Sequence, residues 1–506
     1  MSVGCTIPVC RPPFRLTVLL ALASGLLGCG GGRPRVPAVP VRVGLYAAPL
    51  SLDPHTENDF LTSGVLANAF EGLTNLDADL RVEPSLAASW DTPGATTWRF
   101  RLRPGARFQD GRAVEAADVV WSLERARRHP RSGVSHYLAD VVDVRAPAPG
   151  VVEIRTQASS SLLLNRLAFV AILPAGSPDE TRTPVGTGPY RLDPSGFPDR
   201  LVFRRSDVYW GRRPAEPEVE MRVERNPARL RAMVERGEID LALGISPEEA
   251  DRMRAAPCCL LVTRPAVVVE MLRFRVDLPP FDDVRVRRAV HLALDRAALV
   301  ERTLRGFGVP ASQLASPGTV GFSPALTVPA RDVPAARRLL AEAGHAGRLP
   351  ATLEFREDRS ADEIRRQLGE AGFDVALEPL SWGEALGRVR SGEARFYYGA
   401  MVADTGDAGD ILDSALHTTD RAAGLGADNH WGYSSPAVDR LLLEARVAPT
   451  LLDRRHALQR VMERVMVDLP MVPLVIPHDL YVVRRGIRWA PRLDGRVLAA
   501  DLERER

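Results

Sequence analysis

Residues 227–255 read PARLRAMVERGEIDLALGISPEEADRMRA, and this stretch decides the class of fold. Arg229 to Glu235 has the pattern of a helix, Ile239 to Leu243 that of a strand, and Pro247 to Ala255 that of a second helix. The same alternation returns later in the chain, in Val333 to Ala343, Ala351 to Phe355, Ala361 to Ala371 and Val375 to Leu380. Such alternation predicts α/β lobes with largely parallel sheets.

Other segments indicate how the rest of the chain is arranged. At 506 residues the chain is too long for one compact core, so two or three domains are expected. Val267 to Val276 and Met471 to Val483 have extended patterns that predict strands. Asp283 to Arg305 carries apolar residues at helical spacing and predicts one long amphipathic helix.

The basic residues restrict the chemistry that the chain can perform. All 66 of them are arginine, because the sequence contains no lysine. A phosphate-binding P-loop and a Schiff-base enzyme both need a lysine, so neither class is expected. Without residues 1–28, the chain carries 64 basic and 64 acidic residues. No basic stripe is interleaved with aromatic residues, so we expect no nucleic-acid partner.

The N-terminus predicts export from the cytoplasm. Arg11 and Arg15 precede the apolar run Leu16 to Leu27, which is too short to span a membrane and is typical of a secretory signal. Gly28-Cys29 at its end resembles the lipobox of bacterial lipoproteins, in which Cys29 becomes the acylated first residue. Residues 1–28 would then be the signal peptide and residues 29–40 a flexible tether. An ordinary signal peptide beside an incidental cysteine is the alternative. We therefore expect a lipid-anchored protein in the periplasm or at the cell surface.

Seven short sequence motifs, called phrases below, occur in a definite order between about residues 41 and 480. They are Ser51-Leu52-Asp53-Pro54, Phe70-Glu71-Gly72-Leu73, Glu83-Pro84-Ser85-Leu86-Ala87, Phe108-Gln109-Asp110-Gly111, Gly186-Thr187-Gly188-Pro189-Tyr190, Gly237-Glu238-Ile239-Asp240 and Val286-Arg287-Arg288-Ala289-Val290. In this order they resemble the bacterial extracellular solute-binding proteins of family 5, which include the oligopeptide-, dipeptide- and nickel-binding proteins of ABC importers. Taken singly, most of these phrases are turns and core packing.

The resemblance implies a type II clamshell of two α/β lobes, joined by crossing strands, with a small extra domain inserted into the first lobe. It places residues 41–75, 176–266 and 477–506 in the first lobe, residues 76–175 in the inserted domain, and residues 267–476 in the second lobe. It further implies a small-molecule or peptide ligand, an ABC importer permease as partner, a monomeric state and no cofactor.

The resemblance also implies which residues contact the ligand. In the peptide-binding members an aspartate of the second lobe pairs with the amino group of the ligand, and Asp404 occupies the matching position. Trp382 matches a tryptophan of the pocket, and Asn58 and Phe60 fall in a segment that borders the cleft. Two departures from the peptide binders indicate an altered pocket, since Met401 replaces a frequent tryptophan and Ala408 replaces a proline.

Alternative chemistries find less support in the residues. Asp404, Asp407, Asp410 and Asp413 recur every three residues, but calcium loops space their ligands differently, so no metal site is expected. Asp407 and Asp410 are expected at a helix N-terminus, where they complement the helix dipole. No Gly-x-Ser-x-Gly or His-Glu-x-x-His motif occurs, so we expect no catalytic residues and no enzyme. An exported hydrolase, or a sensor or adhesin lipoprotein with the same fold, is the alternative to an importer component.

Overall fold

The computed structural model describes residues 39–180, 182, 184–356, 360–421, 423, 425–448 and 450–505. The expected signal peptide, the expected lipidation site Cys29 and nearly all of the expected tether lie outside these described residues. Within the described part of the chain, no helix is both long enough and apolar enough to cross a membrane.

Strands make up most of the framework. In chain order the strands are β1 (Val41–Leu45), β2 (Thr74–Leu76), β3 (Val82–Pro84), β4 (Ala87–Gly94), β5 (Thr97–Leu102), β6 (Val141–Ala148), β7 (Val151–Thr156), β8 (Tyr190–Asp193), β9 (Arg200–Arg205), β10 (Glu218–Val223), β11 (Leu241–Leu243), β12 (Cys259–Pro265), β13 (Val268–Phe274), β14 (Gly308–Pro310), β15 (Leu349–Phe355), β16 (Phe373–Pro379), β17 (Phe396–Val402), β18 (Met471–Arg484), β19 (Ile487–Arg488) and β20 (Glu503–Arg504).

The helices pack on the faces of these strands. They are α1 (Phe60–Leu66), α2 (Ala116–Arg128), α3 (Leu163–Leu167), α4 (Pro227–Arg236), α5 (Pro247–Met253), α6 (Val284–Ala293), α7 (Arg296–Leu304), α8 (Val333–Glu342), α9 (Ala361–Ala371), α10 (Trp382–Ser391), α11 (Ala408–Leu416), α12 (Pro436–Arg446) and α13 (Leu451–Asp468). Single 3₁₀ turns cover Ser135–Leu138 and Ala499–Asp501.

Strand β1 lies at the centre of one part of a large sheet. It pairs in parallel with β10 on one side and with β11 on the other, and β9 and β8 follow antiparallel beyond β10. Helix α4 begins at the cap Asn226, with Pro227 as its first residue, and ends at Gly237 with a φ of 73°. The helix–strand–helix prediction for residues 227–255 is therefore confirmed.

The phrase Gly186 to Tyr190 holds the strands of this region to the segment before β2. The side-chain amide of Gln109 donates hydrogen bonds to the carbonyl oxygens of Ala69, Gly188 and Tyr190 at 3.1, 3.0 and 2.6 Å. A methyl group at Gly186 would lie 2.0 Å from the Ala69 carbonyl oxygen, so this close approach requires glycine. The phrase is therefore a structural turn, as predicted.

A separate four-stranded sheet has the order β4-β5-β7-β6. Helix α2 covers one face, and Val119 and Leu123 of this helix share a buried cluster with Phe100, Val152 and Ile154 of the sheet. A capping box at Glu115 and Asp118 begins this helix. The cluster gives these residues a core of their own.

Strands β16, β15 and β17 are parallel neighbours, and β13 continues the sheet antiparallel to β17. Alternate residues of β13 point to opposite faces of the sheet. Leu272 and Phe274 belong to one buried cluster, whereas Val269 and Met271 belong to another. Helices therefore cover both faces of this part of the sheet.

The long strand β18 joins these two parts. Its first half pairs with β13, where Val472 lies opposite Leu272, and its second half pairs with β11, where Val483 lies opposite Leu241. The two segments expected to be extended are thus the strands β13 and β18. Because β18 belongs to both parts, one sheet runs through the molecule in the order β16-β15-β17-β13-β18-β11-β1-β10-β9-β8.

The separate buried clusters support a division of the chain, which we put forward as a proposal. We propose residues 41–75, 176–266 and 477–506 as the first lobe, residues 76–175 as the inserted domain, and residues 267–476 as the second lobe. The cluster around β1 falls in the first of these except for Ala171 and Leu173, and the cluster around α2 falls in the second except for Leu73. The two clusters that flank β13 fall in the third.

The structure corrects two expectations. The long helix predicted over Asp283 to Arg305 is two helices, because Asp295 caps α7 by accepting a hydrogen bond from the Ala298 amide at 2.9 Å. The sheet is mixed rather than largely parallel, because β18 runs antiparallel to its neighbours β11, β12, β13 and β14.

Candidate ligand-binding cleft

A cavity of about 500 Å³ lies at the carboxyl ends of parallel strands from both lobes. On the side of the first lobe, Tyr46, Arg225 and Gly244 follow the ends of β1, β10 and β11 and line the cavity. On the side of the second lobe, Val402 is the last residue of β17, and Val268 begins β13. Ligands of α/β proteins bind outside the carboxyl ends of strands, so the cavity lies where the fold places a site.

Phe60, which was predicted to contact the ligand, lines this cavity on the side of the first lobe. It is the first residue of α1, whose cap Asp59 accepts a hydrogen bond from the Thr62 amide at 3.0 Å. Phe60 is 38% exposed, so its ring is accessible to a ligand. Asn58 is exposed two residues earlier and does not line the cavity.

Asp404 follows the end of β17 and makes contact with the inserted domain. The hydroxyl of Tyr137 donates a hydrogen bond to its Oδ2 at 2.9 Å. Burial raises the pKa of Asp404, the bond from Tyr137 opposes this, and nearby Asp410 raises the pKa further. The Tyr137 ring stacks on Phe169 at 4.9 Å between centroids, which holds the hydroxyl in place. The candidate carboxylate thus lies at the junction of two structural units.

Other polar contacts join the same two units. Arg166 of α3 pairs with Asp410 of α11 at 2.6 Å and with Asp140 at 3.0 Å. Arg446 at the end of α12 also pairs with Asp140. The side-chain amide of Asn165 donates a hydrogen bond to the carbonyl oxygen of Thr405 at 2.9 Å. Charged and polar groups therefore join the inserted domain to the second lobe.

Trp382 lies apart from the cavity. It is the first residue of α10, after the capping box of Ser381 and Glu384, and its side chain is 61% exposed. The Arg356 guanidinium, which follows β15, lies 4.6 Å from its ring centroid. Trp382, Arg356 and Asp404 follow the carboxyl ends of the neighbouring strands β16, β15 and β17, so all three occupy one edge of the second lobe.

The regularly spaced aspartates have separate partners. Asp407 caps α11 and pairs with the buried Arg454 at 2.7 Å, and Asp410 lies in the first turn of the same helix, as predicted. Asp413 approaches Arg446 at 3.9 Å. No group of three or more His, Cys, Asp or Glu side chains in the described residues is arranged to hold a metal ion.

Two residues of the cleft were not predicted from the sequence. Tyr137 lies in a short 3₁₀ turn far from Asp404 along the chain, and no local signal marks it. Asp479 interrupts the apolar pattern of β18 and lines the cavity. A charged residue inside a buried strand is uncommon, and this irregularity could have drawn attention to it.

The amino-acid sequence is similar to that of known solute-binding proteins. The family model of the bacterial extracellular solute-binding proteins, family 5, matches residues 81–423. The glutathione-binding protein GsiB of Escherichia coli K12 is 28% identical over 459 residues, which cover 84% of this chain and 86% of that protein.

Solved structures share the fold. The structure of HbpA2 from Haemophilus parasuis has a TM-score of 0.82 and 20% identity, and the match covers 92% of this chain and all of that one. The periplasmic binding protein DppA of Helicobacter pylori, in complex with the peptide STSA, has a TM-score of 0.78 and 21% identity, with 92% and 98% of the two chains covered. At these identities the likeness concerns the two-lobed α/β fold.

Proposed function

We propose that this chain, which belongs to the bacterial extracellular solute-binding proteins of family 5, is the substrate-binding component of an ABC importer for a peptide or another amine-bearing solute. Membership of a solute-binding family supports binding without chemical turnover. The relatives support a peptide-like ligand, since one is a glutathione-binding protein and another was solved with a bound peptide.

The observation that carries the proposal is the position of Asp404. Its carboxylate lies two residues beyond Val402, which lines the cavity, and it faces Tyr137 of the inserted domain. An ammonium group bound to Asp404 would form a charge-assisted hydrogen bond, which is about twice as strong as a neutral one. Asp404 and Tyr137 meet only when the second lobe and the inserted domain approach each other. A ligand that binds between them would therefore bind the closed form more tightly and drive closure.

The size of the cavity supports a small solute. A volume of about 500 Å³ falls in the range that small-molecule sites occupy. Phe60 and Tyr46 provide apolar surface, and we propose Asn58 and Trp382 as contacts at the edges of the cleft. The Trp382 ring and the Arg356 guanidinium stacked on it would contact a part of the ligand that extends out of the cavity.

Export and lipid anchoring are part of the same proposal and depend on the sequence of residues 1–40. Acylation at Cys29 would hold the binding domain near the membrane, where it can meet a permease. Metabolic labelling with a radioactive fatty acid tests this. Label in the wild-type protein and none in Cys29→Ser is expected, and equal labelling would contradict it.

Calorimetry with the purified protein tests the ligand site. We expect Asp404→Asn to lower the affinity for a tripeptide by about tenfold or more, because the ammonium group loses its charged partner. Asp374→Asn is the matched control, since Asp374 is exposed at the opposite end of β16. Equal affinity in wild type and Asp404→Asn would contradict the ammonium contact.

The fate of the bound peptide separates this function from an exported hydrolase. We expect mass spectrometry to recover the peptide intact after long incubation, together with compaction in small-angle scattering on binding. Cleavage of the peptide that a point mutation abolishes would favour the hydrolase instead.

A further inference from the structure

The carboxylate of Asp479, on the strand β18 that joins the two lobes, lines the cavity, whereas Asp404 does not line it. Gly495 lies between it and Phe60. A methyl group at Gly495 would lie 2.9 Å from Oδ2 of Asp479 and 3.0 Å from the Phe60 ring, and the φ of Gly495 is 71°. The carboxylate therefore lies close to an aromatic ring of the cavity, and glycine leaves the space between them open.

The charged side chains near Asp479 interact with other partners. Arg264, opposite Asp479 in the register of β12, donates hydrogen bonds to the Pro491 carbonyl oxygen at 2.8 Å and to Asp79 at 3.0 Å. Asp494 pairs with Arg492 at 2.9 Å. Among the described residues, none donates a hydrogen bond to the Asp479 carboxylate or forms an ion pair with it.

Leaving such a carboxylate without a partner is costly. Burial, and after it the charge of Asp494, raise the pKa of Asp479 to about 7 against the opposing effect of Arg264. Tyr46 and Tyr481 are the other titratable groups that interact with it, and Arg225 and His478 also line the cavity. A protein seldom retains an unpaired acid in a site unless a ligand pairs with it.

We propose that Asp479 forms a second cation-binding subsite, which receives an ammonium or guanidinium group on a side chain of the bound peptide. This inference rests on the proposed function, in which Asp404 binds the terminal amino group. Tyr46 and Phe60 beside Asp479 would contact the methylene groups of a long basic side chain while its charge reaches the carboxylate. The preferred substrates are therefore peptides that carry a lysine or arginine residue.

Paired tripeptides test the subsite by calorimetry. Lysine or norleucine is placed at the second or third position of an otherwise all-alanine tripeptide, so that the two members of a pair differ only in the charged group. We expect wild type to bind the lysine peptide of one pair about tenfold more tightly than its norleucine partner. Asp479→Asn should lose this preference, and Asp479→Glu should retain part of it.

The variants distinguish the two subsites. Asp404→Asn should weaken lysine and norleucine peptides alike, because both carry the terminal amino group, and Asp374→Asn should change neither. If wild type binds tripeptides but shows no preference for lysine in any pair, the second subsite is wrong and the proposed function stands. If Asp479→Asn keeps the preference, the subsite is also wrong. If no tripeptide binds to wild type, the proposed function and the inference fall together.

Discussion

At the scale of single residues, Asp479 should lower the stability of the unliganded protein. The folded state holds a proton on Asp479 up to a pKa of about 7, whereas the unfolded state releases it near pH 4. The free energy of unfolding therefore falls as the pH rises between these values. We expect Asp479→Asn to be more stable than wild type at pH 8, on the order of 2 kcal/mol, in chemical unfolding experiments.

The pH dependence identifies the cause of that gain. The advantage of Asp479→Asn should shrink as the pH is lowered from 7 towards 4, because the folded wild type then takes up a proton and no longer buries a charge. A gain that is the same at pH 5 and pH 8 would point to packing instead of charge. A residue whose function is to bind a ligand is expected to lower the stability of the unliganded protein in this way.

At the scale of elements, the break between α6 and α7 depends on a single cap. Asp295 accepts a hydrogen bond from the Ala298 amide, and its own amide donates one to the side chain of Gln367 at 2.6 Å. We expect Asp295→Ala to destabilise the protein by about 1 kcal/mol, because the first turn of α7 loses its acceptor. Thermal unfolding measures this loss.

The conservative variant Asp295→Asn is the control, because an asparagine side chain also caps helices well. It should keep most of the stability, and a loss as large as that of Asp295→Ala would mean that the charge, not the cap, is what matters. Ligand affinity should change little in either variant, since Asp295 does not line the cavity and α7 contributes Leu304 from its opposite end.

At the scale of the whole molecule, charged pairs between the inserted domain and the second lobe should stabilise the closed form. Asp140 of the inserted domain accepts a hydrogen bond from Arg446 of the second lobe. It also accepts one from Arg166 of its own domain, which in turn pairs with Asp410 of the second lobe. We expect Asp140→Asn to weaken these pairs by about 1–2 kcal/mol, because they are largely shielded from water. The open form should then be more populated without ligand, which small-angle scattering detects as a larger radius of gyration.

An ion pair within one lobe provides the comparison. Asp193 pairs with Arg204 at 2.8 Å between β8 and β9, so Asp193→Asn removes a charge pair without affecting contacts between lobes. It should leave the radius of gyration unchanged. Identical scattering of Asp140→Asn and wild type would show that other contacts hold the lobes together.

The elements of this fold were predictable because their signals are local. The turn at Gly237, the cap Ser246 and the strand Leu241–Leu243 all lie within the one stretch of residues 227–255, and the cap Asn226 directly precedes it. The helix Ala361–Ala371 likewise begins and ends where the periodicity of its apolar residues does. The break at Asp295 was missed because apolar spacing continues across it, and only the bond to the Ala298 amide shows that a new helix begins.

The amino-acid sequence by itself determined the α/β class, the extended segments that form β13 and β18, and the family, because helix and strand periodicities and ordered phrases depend on neighbours along the chain. It also marked Phe60 and Asp404 through the resemblance. Only the tertiary structure decided the mixed sheet around β18, the bond from Tyr137 to Asp404, and the place of Asp479 in the cavity. These depend on contacts between residues distant in the chain, and the pairing and burial of a charge exist only after such contacts have formed.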